Sequence, residues 1–222
     1  IIIEKEDTLD EVKKNIINIE SEYTVFKVPT NKTDISNYLQ NNNYIFIETM
    51  INCVNKAILP ELNSLQKRII KTIKYEDMNE EDLNELYSEI KDDMFTDDRV
   101  SRDVNFTQEQ ANQRYIGWME DEYKRGSRFF KLIYKGENIG FFVMAFKDNK
   151  ECVGVLAGIY KKYKAFGFGF CINYFEIDKA IKEEYKRITT AFSTNNRAAM
   201  AIHFSMNYDI ADVQYIYIKH KK

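Results

Sequence analysis

Lys164-x-x-Gly167-x-Gly169 is the stretch whose residue types and spacing most directly suggest chemistry. It follows an apolar, β-branched run, Val153 to Tyr160, with Lys161 and Lys162 between. Two glycines let a backbone turn sharply and come close to a ligand. From Phe170 the pattern reads as helical, so N–H groups at the helix start would point into the loop. With the positive end of the helix dipole, they favour a phosphate. Lys161, Lys162 and Lys164 add positive charge at the same place. The same residues also suit a plain strand–helix turn, and a dinucleotide fingerprint fits less well because the loop is one glycine short. Of the two histidines, His203 sits on a predicted helix, and His220 lies in a Lys-rich tail and reads as solvated. Cys53, Cys152 and Cys171 are an odd number in apolar settings, which suits reduced core thiols in a cytoplasmic protein. The acidic run Glu76 to Glu89 reads as a solvated helix face.

The elements that must position these residues follow from pattern. With 222 residues the chain can form one large domain, or a domain with a smaller one attached. Net charge is −3, which gives no sign of a nucleic-acid partner, and no apolar run reaches membrane-spanning length. No secretory leader is recognisable, and the start Ile1-Ile-Ile, without Met, suggests a trimmed chain or a front end outside this sequence.

The first segment, 1–62, reads as a small α/β module. It has a helix from Asp7 to Glu20, a strand Tyr23–Val28, a short helix Asp34–Asn41 and a long strand Tyr44–Val54. It could serve as scaffold or wall one side of a substrate pocket. In the rest, 63–222, the pattern predicts a strand Arg68–Tyr75, a helix from Asn79 to about Lys91 and a loop Asp92–Phe106. Thr107-x-x-Gln110 then predicts a capped helix to about Arg125, stopped by Gly126. Strands Phe129–Tyr134, Ile139–Phe146 and Cys152–Tyr160 follow, joined by polar hairpin turns. A helix Phe170–Tyr185, a strand Ile188–Ser193, a helix Asn196–Met206 and an extended stretch Val213–Lys219 complete the chain. That last stretch is long enough to pair across a homodimer.

Two motifs in this order carry a resemblance. Lys164-x-x-Gly167-x-Gly169 after a strand, then Asn196-x-x-Ala199-x-x-x-His203 closing on Asn207-Tyr208, resemble the GCN5-related N-acetyltransferase (GNAT) superfamily. That family has Arg or Gln in place of Lys164, Tyr in place of His203, and Gly-Phe in place of Asn207-Tyr208. Arg99-Val-x-x-Asp103-Val-x-Phe106 and Arg114-Tyr115-x-x-Trp118 further resemble the subgroup that acetylates nucleotide-linked amino sugars, of the dTDP-fucosamine acetyltransferase type.

The resemblance implies an α/β (α+β) acyl-CoA acyltransferase fold: a mixed, mostly antiparallel sheet with helices on both faces, plus the N-terminal module. It implies acetyl-CoA as co-substrate, no metal, and a splay between the fourth and fifth family strands that takes the pantetheine arm. Ala157, Gly158 and Ile159 would hold that arm by backbone groups, with an oxyanion donor near Ile159. Lys164, Ala165, Phe166, Gly167, Phe168, Gly169 and Phe170 would form the pyrophosphate loop. Asn196 would bond the pantetheine amides, or simply cap its helix. His203 would be the acid that protonates the departing thiolate, or would only pack. Arg99 would hold a substrate diphosphate, or pair with Asp97 or Asp98 at the surface. Tyr115 and Trp118 would line a sugar or base pocket, or fill the core. Glu48, Asp103, Glu122 or a water chain could act as general base. The implied reaction is acetyl transfer to a nucleotide-diphosphate-linked amino sugar. A peptide, lysine or polyamine acceptor, or a CoA-binding sensor without catalysis, remain alternatives.

Overall fold

Helices in this chain begin where side chains take up their free N–H groups. Asn63 with Gln66, Asn79 with Asp82, and Thr107 with Gln110 form reciprocal capping boxes. They open α3 (Ser64–Ile70), α4 (Glu80–Lys91) and α6 (Gln108–Lys124). Each box satisfies two donors that a helix start would otherwise leave unpaired. The Asn63 box corrects one expectation. The predicted strand Arg68–Tyr75 is helical to Ile70, and β3 (Ile73–Asp77) starts after it. The predicted loop 92–106 also holds a one-turn helix, α5 (Arg99–Arg102), whose first N–H groups donate to Asp98 Oδ1 at 3.1 and 2.9 Å.

This computed structural model describes all residues except 17, 18 and 222. The expected helix 7–20 is α1 (Leu9–Ile16), and its positions 17 and 18 lie outside the described residues. The remaining elements are β1 (Tyr23–Pro29), α2 (Thr33–Asn41), β2 (Ile45–Asn55), β4 (Arg128–Tyr134), β5 (Glu137–Phe146), β6 (Glu151–Ile159), α7 (Gly169–Lys182), β7 (Arg187–Ser193), α8 (Arg197–Ser205) and β8 (Asp209–His220). Among the described residues no helix is long and apolar enough to cross a membrane.

The strands form one eight-stranded sheet in the order β1-β8-β2-β7-β6-β5-β4-β3. Every pairing is antiparallel except β6 with β7. The segment 1–62 therefore supplies two strands that lie on either side of β8. It also has an apolar core of its own, in which Val12, Phe26, Val28, Ile35 and Leu39 pack with Tyr217 of β8. Buried Asn55, at the end of β2, donates to the carbonyls of Met206 and Asn207 at 3.1 and 3.0 Å, so this strand also holds the turn after α8.

Alternation along β5 shows how the two faces are covered. Phe141 meets Phe95 from the loop before α5, and Phe95 stacks on Tyr115 of α6 at 4.5 Å. Its neighbour Phe142 stacks on Phe130 at 4.8 Å and touches Tyr75, which in turn meets Phe175 of α7. The α4–α6 layer thus lies on one face, and α7 on the other. A bulge in β6 then matters. Val143 faces Leu156 while Met144 faces Gly154, leaving Val155 as the extra residue. An extra residue reverses the alternation beyond it. Gly154 consequently looks toward Glu176 of α7, whereas Gly158 looks toward Met94 on the α6 side.

Close backbone packing here gives a contrast in stability. A Cβ at Gly140 would stand 2.5 Å from the Gly158 carbonyl oxygen, which is backbone and cannot swing away. Gly117, inside α6, has open space around it. In urea denaturation, Gly140→Ala is expected to destabilise by about 1–3 kcal/mol. Gly117→Ala is expected to stabilise by roughly 0.5–1 kcal/mol, because the helix interior favours alanine.

Candidate active site

β6 and β7 pair over three residue pairs, Glu151 with Arg187 through Val153 with Thr189, and then part. At the point of parting, Thr190 Oγ1 donates to the Gly154 carbonyl at 3.0 Å, so a side chain supplies the bond that the next ladder step would have made. Beyond it, the β6 backbone on that side has no strand beside it. Tyr160 N–H donates to the Ile139 carbonyl of β5 at 2.9 Å. Antiparallel alternation then turns the groups of Gly158 toward β5 as well, and those of Ala157 and Ile159 away from it, toward the gap. The backbone groups of Ala157 and Ile159, the Ile159 N–H among them, thus face the gap. Gly158 departs from the expected ligation, because its N–H and C=O are directed into the β5 ladder.

The gap opens a cavity of about 710 Å³ that passes through the sheet. One side of it is walled by Ile172, Asn173 and Glu176 of α7 and by Asn196, Ala199 and His203 around α8. The other is walled by the 94–99 loop with Tyr115, Trp118 and Glu122 of α6, and by Glu48, Met50 and Asn52 along β2. The N-terminal segment therefore forms part of this wall, with Lys27 of β1 added.

The expected phosphate loop is tighter than an open turn. Residues Lys161–Phe166 form a 3-10 helix that ends at Gly167, whose φ of +75° is the left-handed conformation glycine accepts without strain. Ala165 and Phe166 are exposed, and Phe166 stacks on buried Phe168 at 5.6 Å. Phe170 is buried, and Gly169 begins α7, where an added Cβ would stand 2.7 Å from Ile202 Cδ1 of α8. The three loop lysines each have a partner. Lys161 pairs with Asp92 at 2.8 Å, Lys162 with Glu137, and Lys164 Nζ donates to the Met94 carbonyl at 3.1 Å. The start of α7 is capped by no side chain. Cys171 N–H donates to the Phe168 carbonyl at 2.9 Å, and the N–H groups before it in this turn are of the kind that suit an anion.

Asn196 caps α8, accepting from Ala199 N–H at 2.9 Å, and also lines the cavity. Asn207 has φ +61°. Asparagine is the residue besides glycine that visits this region most readily, which accounts for Asn where the resembling family has Gly. His203 packs between Phe192 and Tyr208, at 4.7 and 5.0 Å between ring centres. Its Nδ1 lies 2.8 Å from the Ala199 carbonyl oxygen. A carbonyl can only accept, so Nδ1 carries the proton of the neutral ring and Nε2 is left as an acceptor. Burial pulls the imidazole below its usual pKa. This tautomer does not supply the donor that the expected acid role requires.

On the α6 side, Arg99 pairs with neither Asp97 nor Asp98. Asp97 meets Arg102 and Asp98 meets Arg114 at 3.1 Å, while Arg99 Nη1 lies 3.8 Å from Glu48 Oε1. Tyr115 is buried and Trp118 half-buried, with the Arg114 guanidinium over both rings. They pack with the core and line the cavity at once. Burial, helped by Asp98, pushes the Tyr115 phenol well above its usual range. His220 is not solvated: its Nε2 lies 2.7 Å from Asp103 Oδ2.

No protein-family model and no curated protein matches this sequence. Solved structures do. A GCN5-related N-acetyltransferase from Sphaerobacter thermophilus aligns with a TM-score of 0.62 at 9% identity, over 95% of this chain and 64% of its own. One from Kribbella flavida aligns at 0.60 and 8% identity, over 96% and 74%. The fold is that of the GCN5-related N-acetyltransferases. A conserved protein of unknown function from Staphylococcus epidermidis aligns at 0.68 and 11% identity, over 100% of this chain and 84% of its own. The chain spans less than two thirds of the Sphaerobacter protein. Identities this low carry the acetyltransferase fold and nothing finer.

Among the cavity residues that the sequence does not single out is a buried carboxylic acid. Glu176 of α7 is buried 3.2 Å from where a Gly154 Cβ would stand, and the Tyr208 hydroxyl lies nearby without hydrogen-bonding geometry. Burial pushes its carboxyl up to about 8. Its signal was a carboxylate three residues from Asn173 on the helix face that also carries Phe170, Ile177 and Ala180. Because the folded-state pKa is raised, Glu176 is protonated in the folded protein over a range where the unfolded chain has lost that proton. Its contribution is fully present below about pH 4.5 and is lost as pH rises through about 8. Thermal unfolding of Glu176→Gln at pH 5 and pH 8.5 checks this. The variant should gain stability relative to the native protein at the higher pH, by a few kcal/mol at roughly 1.4 kcal/mol per pH unit. An equal difference at both pH values would contradict a protonated Glu176.

Proposed function

We propose that this chain moves an acetyl group from acetyl-CoA to the amine of a nucleotide-diphosphate-linked amino sugar. The observation that carries acetyl transfer is the parting of β6 and β7, which opens a cavity through the sheet between two differently lined walls. The residues suit acetyl-CoA on the α7–α8 side. The uncapped start of α7 behind Gly167 offers N–H groups to the pyrophosphate, and Ala157 and Ile159 offer backbone groups to the pantetheine arm. When bound, acetyl-CoA supplies the activated acyl carbon, with a thiolate of reference pKa about 8.5 as leaving group. Ile159 N–H is assigned to the developing oxyanion. Asn196 Oδ1 is engaged as a cap, so its free amide group is the part assigned to the pantetheine. The acceptor enters from the α6 side, where Arg99 and Arg114 suit a diphosphate and Tyr115 and Trp118 a sugar or base. Three free buried cysteines fit a reducing, cytoplasmic setting.

Asp97, Asp98, Glu48 and Glu122 stand on the same wall, and this favours a second reading in which the acceptor is a cation such as a lysine side chain or a polyamine. Thiol release from acetyl-CoA decides between them. It is measured with dTDP- and UDP-linked amino sugars, each beside its free sugar, and with spermidine. Release confined to the nucleotide-linked sugars supports the first reading. Release with spermidine alone moves the assignment to the second. Gly167→Asp should weaken acetyl-CoA binding by about tenfold or more, since it puts a like charge beside the phosphates. His203→Phe should leave kcat within about tenfold, because the neutral ring has no proton on Nε2. A fall of roughly 100-fold or more would restore the acid role.

A further inference from the structure

Two oppositely charged groups meet inside the acceptor half of the cavity without satisfying one another. Glu48 is 2% exposed, and its Oε2 is buried with no hydrogen-bond partner. Arg99 Nε is buried and unpartnered as well. Their one contact, 3.8 Å between Arg99 Nη1 and Glu48 Oε1, is longer than a hydrogen bond. An unpaired oxygen and an unpaired N–H of this kind are costly to bury unless something else completes them. Both residues line the cavity. Glu48 follows a bulge: Phe46 faces Tyr217, Glu48 faces Ile216, and Ile47 is extra. Bulges of this kind re-aim a side chain, and they recur beside active sites.

The other carboxylates considered for proton transfer are already engaged. Asp103 takes His220 at 2.7 Å and Asn105 at 2.9 and 3.0 Å. Glu122 takes Arg125 at 2.8 Å and Ser127 at 2.6 Å.

We propose that Glu48 and Arg99 form the acceptor dock, in which Glu48 receives the acceptor's ammonium and its proton while Arg99 binds an anionic oxygen group on the same small molecule. This rests on the acetyl-transfer reading above and names its acceptor as an amine that also carries an anionic oxygen group. Glu48 takes one proton from the ammonium. The freed amine bonds to the thioester carbonyl carbon, the C–S bond breaks, and the amine's next proton goes to the departing thiolate. The products are an N-acetyl amide, free CoA thiol and a proton that Glu48 returns to water. Around Glu48 stand Arg99 and Asp98 at the α5 turn, Arg114 of α6, Lys27 of β1 and Ser193 of β7. Burial raises the Glu48 carboxyl above the usual carboxylate range, against the pull of Ser193 and Arg99, which suits a proton acceptor.

The test measures thiol release from acetyl-CoA with paired probes: glucosamine 1-phosphate beside glucosamine, β-alanine beside its amide, and spermidine as a purely cationic amine. The anionic member of each pair should be favoured in kcat/KM by about tenfold or more, and Arg99→Gln should narrow that gap. Glu48→Gln should lower kcat by roughly 100-fold while acetyl-CoA still raises the melting temperature. If that variant does not fold, the native protein's pH profile decides: kcat/KM must fall on the acid side with an apparent pKa that is the same for glucosamine 1-phosphate and β-alanine, whose own amines titrate differently. Equal rates within the pairs, a preference for spermidine, full activity in folded Glu48→Gln, or no acid limb would overturn the dock. Silence with every probe, while acetyl-CoA still raises the melting temperature, would overturn the dock and leave the donor site standing. No melting shift with acetyl-CoA would overturn the acetyl-transfer reading and the dock with it.

Discussion

Everything in the candidate site depends on a ladder that stops. Parallel strands gain stability by continuing to exchange hydrogen bonds, and β6 and β7 give this up after Val153 and Thr189. Two local features make the break tolerable. The Thr190 hydroxyl donates to the Gly154 carbonyl, and β6 stays paired with β5 past the bulge at Val155. The groups of Ala157 and Ile159 then face the gap. A plain parallel pair at the same place would have closed the sheet and left no passage between its faces.

Strand β2 completes the cavity wall on the α6 side. β2 lies between β7 and β8, and its face carrying Glu48, Met50 and Asn52 lines the cavity. Asn55 fastens the same strand to the turn after α8, which carries the left-handed Asn207. The N-terminal segment is thus structural and site-forming at once. Its own apolar core holds α1 and α2, while its strands extend the common sheet.

The cavity places carboxyl groups with different surroundings on its two sides. Glu176, on the α7 side, is enclosed, and burial pushes its carboxyl up to about 8. Glu48, on the α6 side, is as deeply buried but has Arg99, Arg114 and Lys27 around it, so its rise is opposed. Two buried carboxyl groups whose environments push them by different amounts can hold different protonation states at one pH. That asymmetry matches a cavity whose two ends meet chemically different partners.

The sequence by itself determined most of the local structure and the order of elements. Capping pairs such as Thr107 with Gln110, the Lys135-Gly136 turn and the apolar run of β6 act over a few residues, so their outcome is readable from spacing. The helix at Ser64–Ile70 was missed because Ile69 and Ile70 suit a strand equally well, and the Asn63–Gln66 box decided the matter. The two motifs, at 164–169 and 196–208, also lay within reach of sequence reading because each is contiguous. What only the tertiary structure decided is how distant charges pair. Asp92, Glu137 and the Met94 carbonyl engage the loop lysines, and Ala199 sets the His203 tautomer. Glu48 displaces the nearby aspartates as the partner of Arg99. These pairings join residues from different elements, and their strength depends on burial and on ångström-scale distance. Neither exists until the chain has folded.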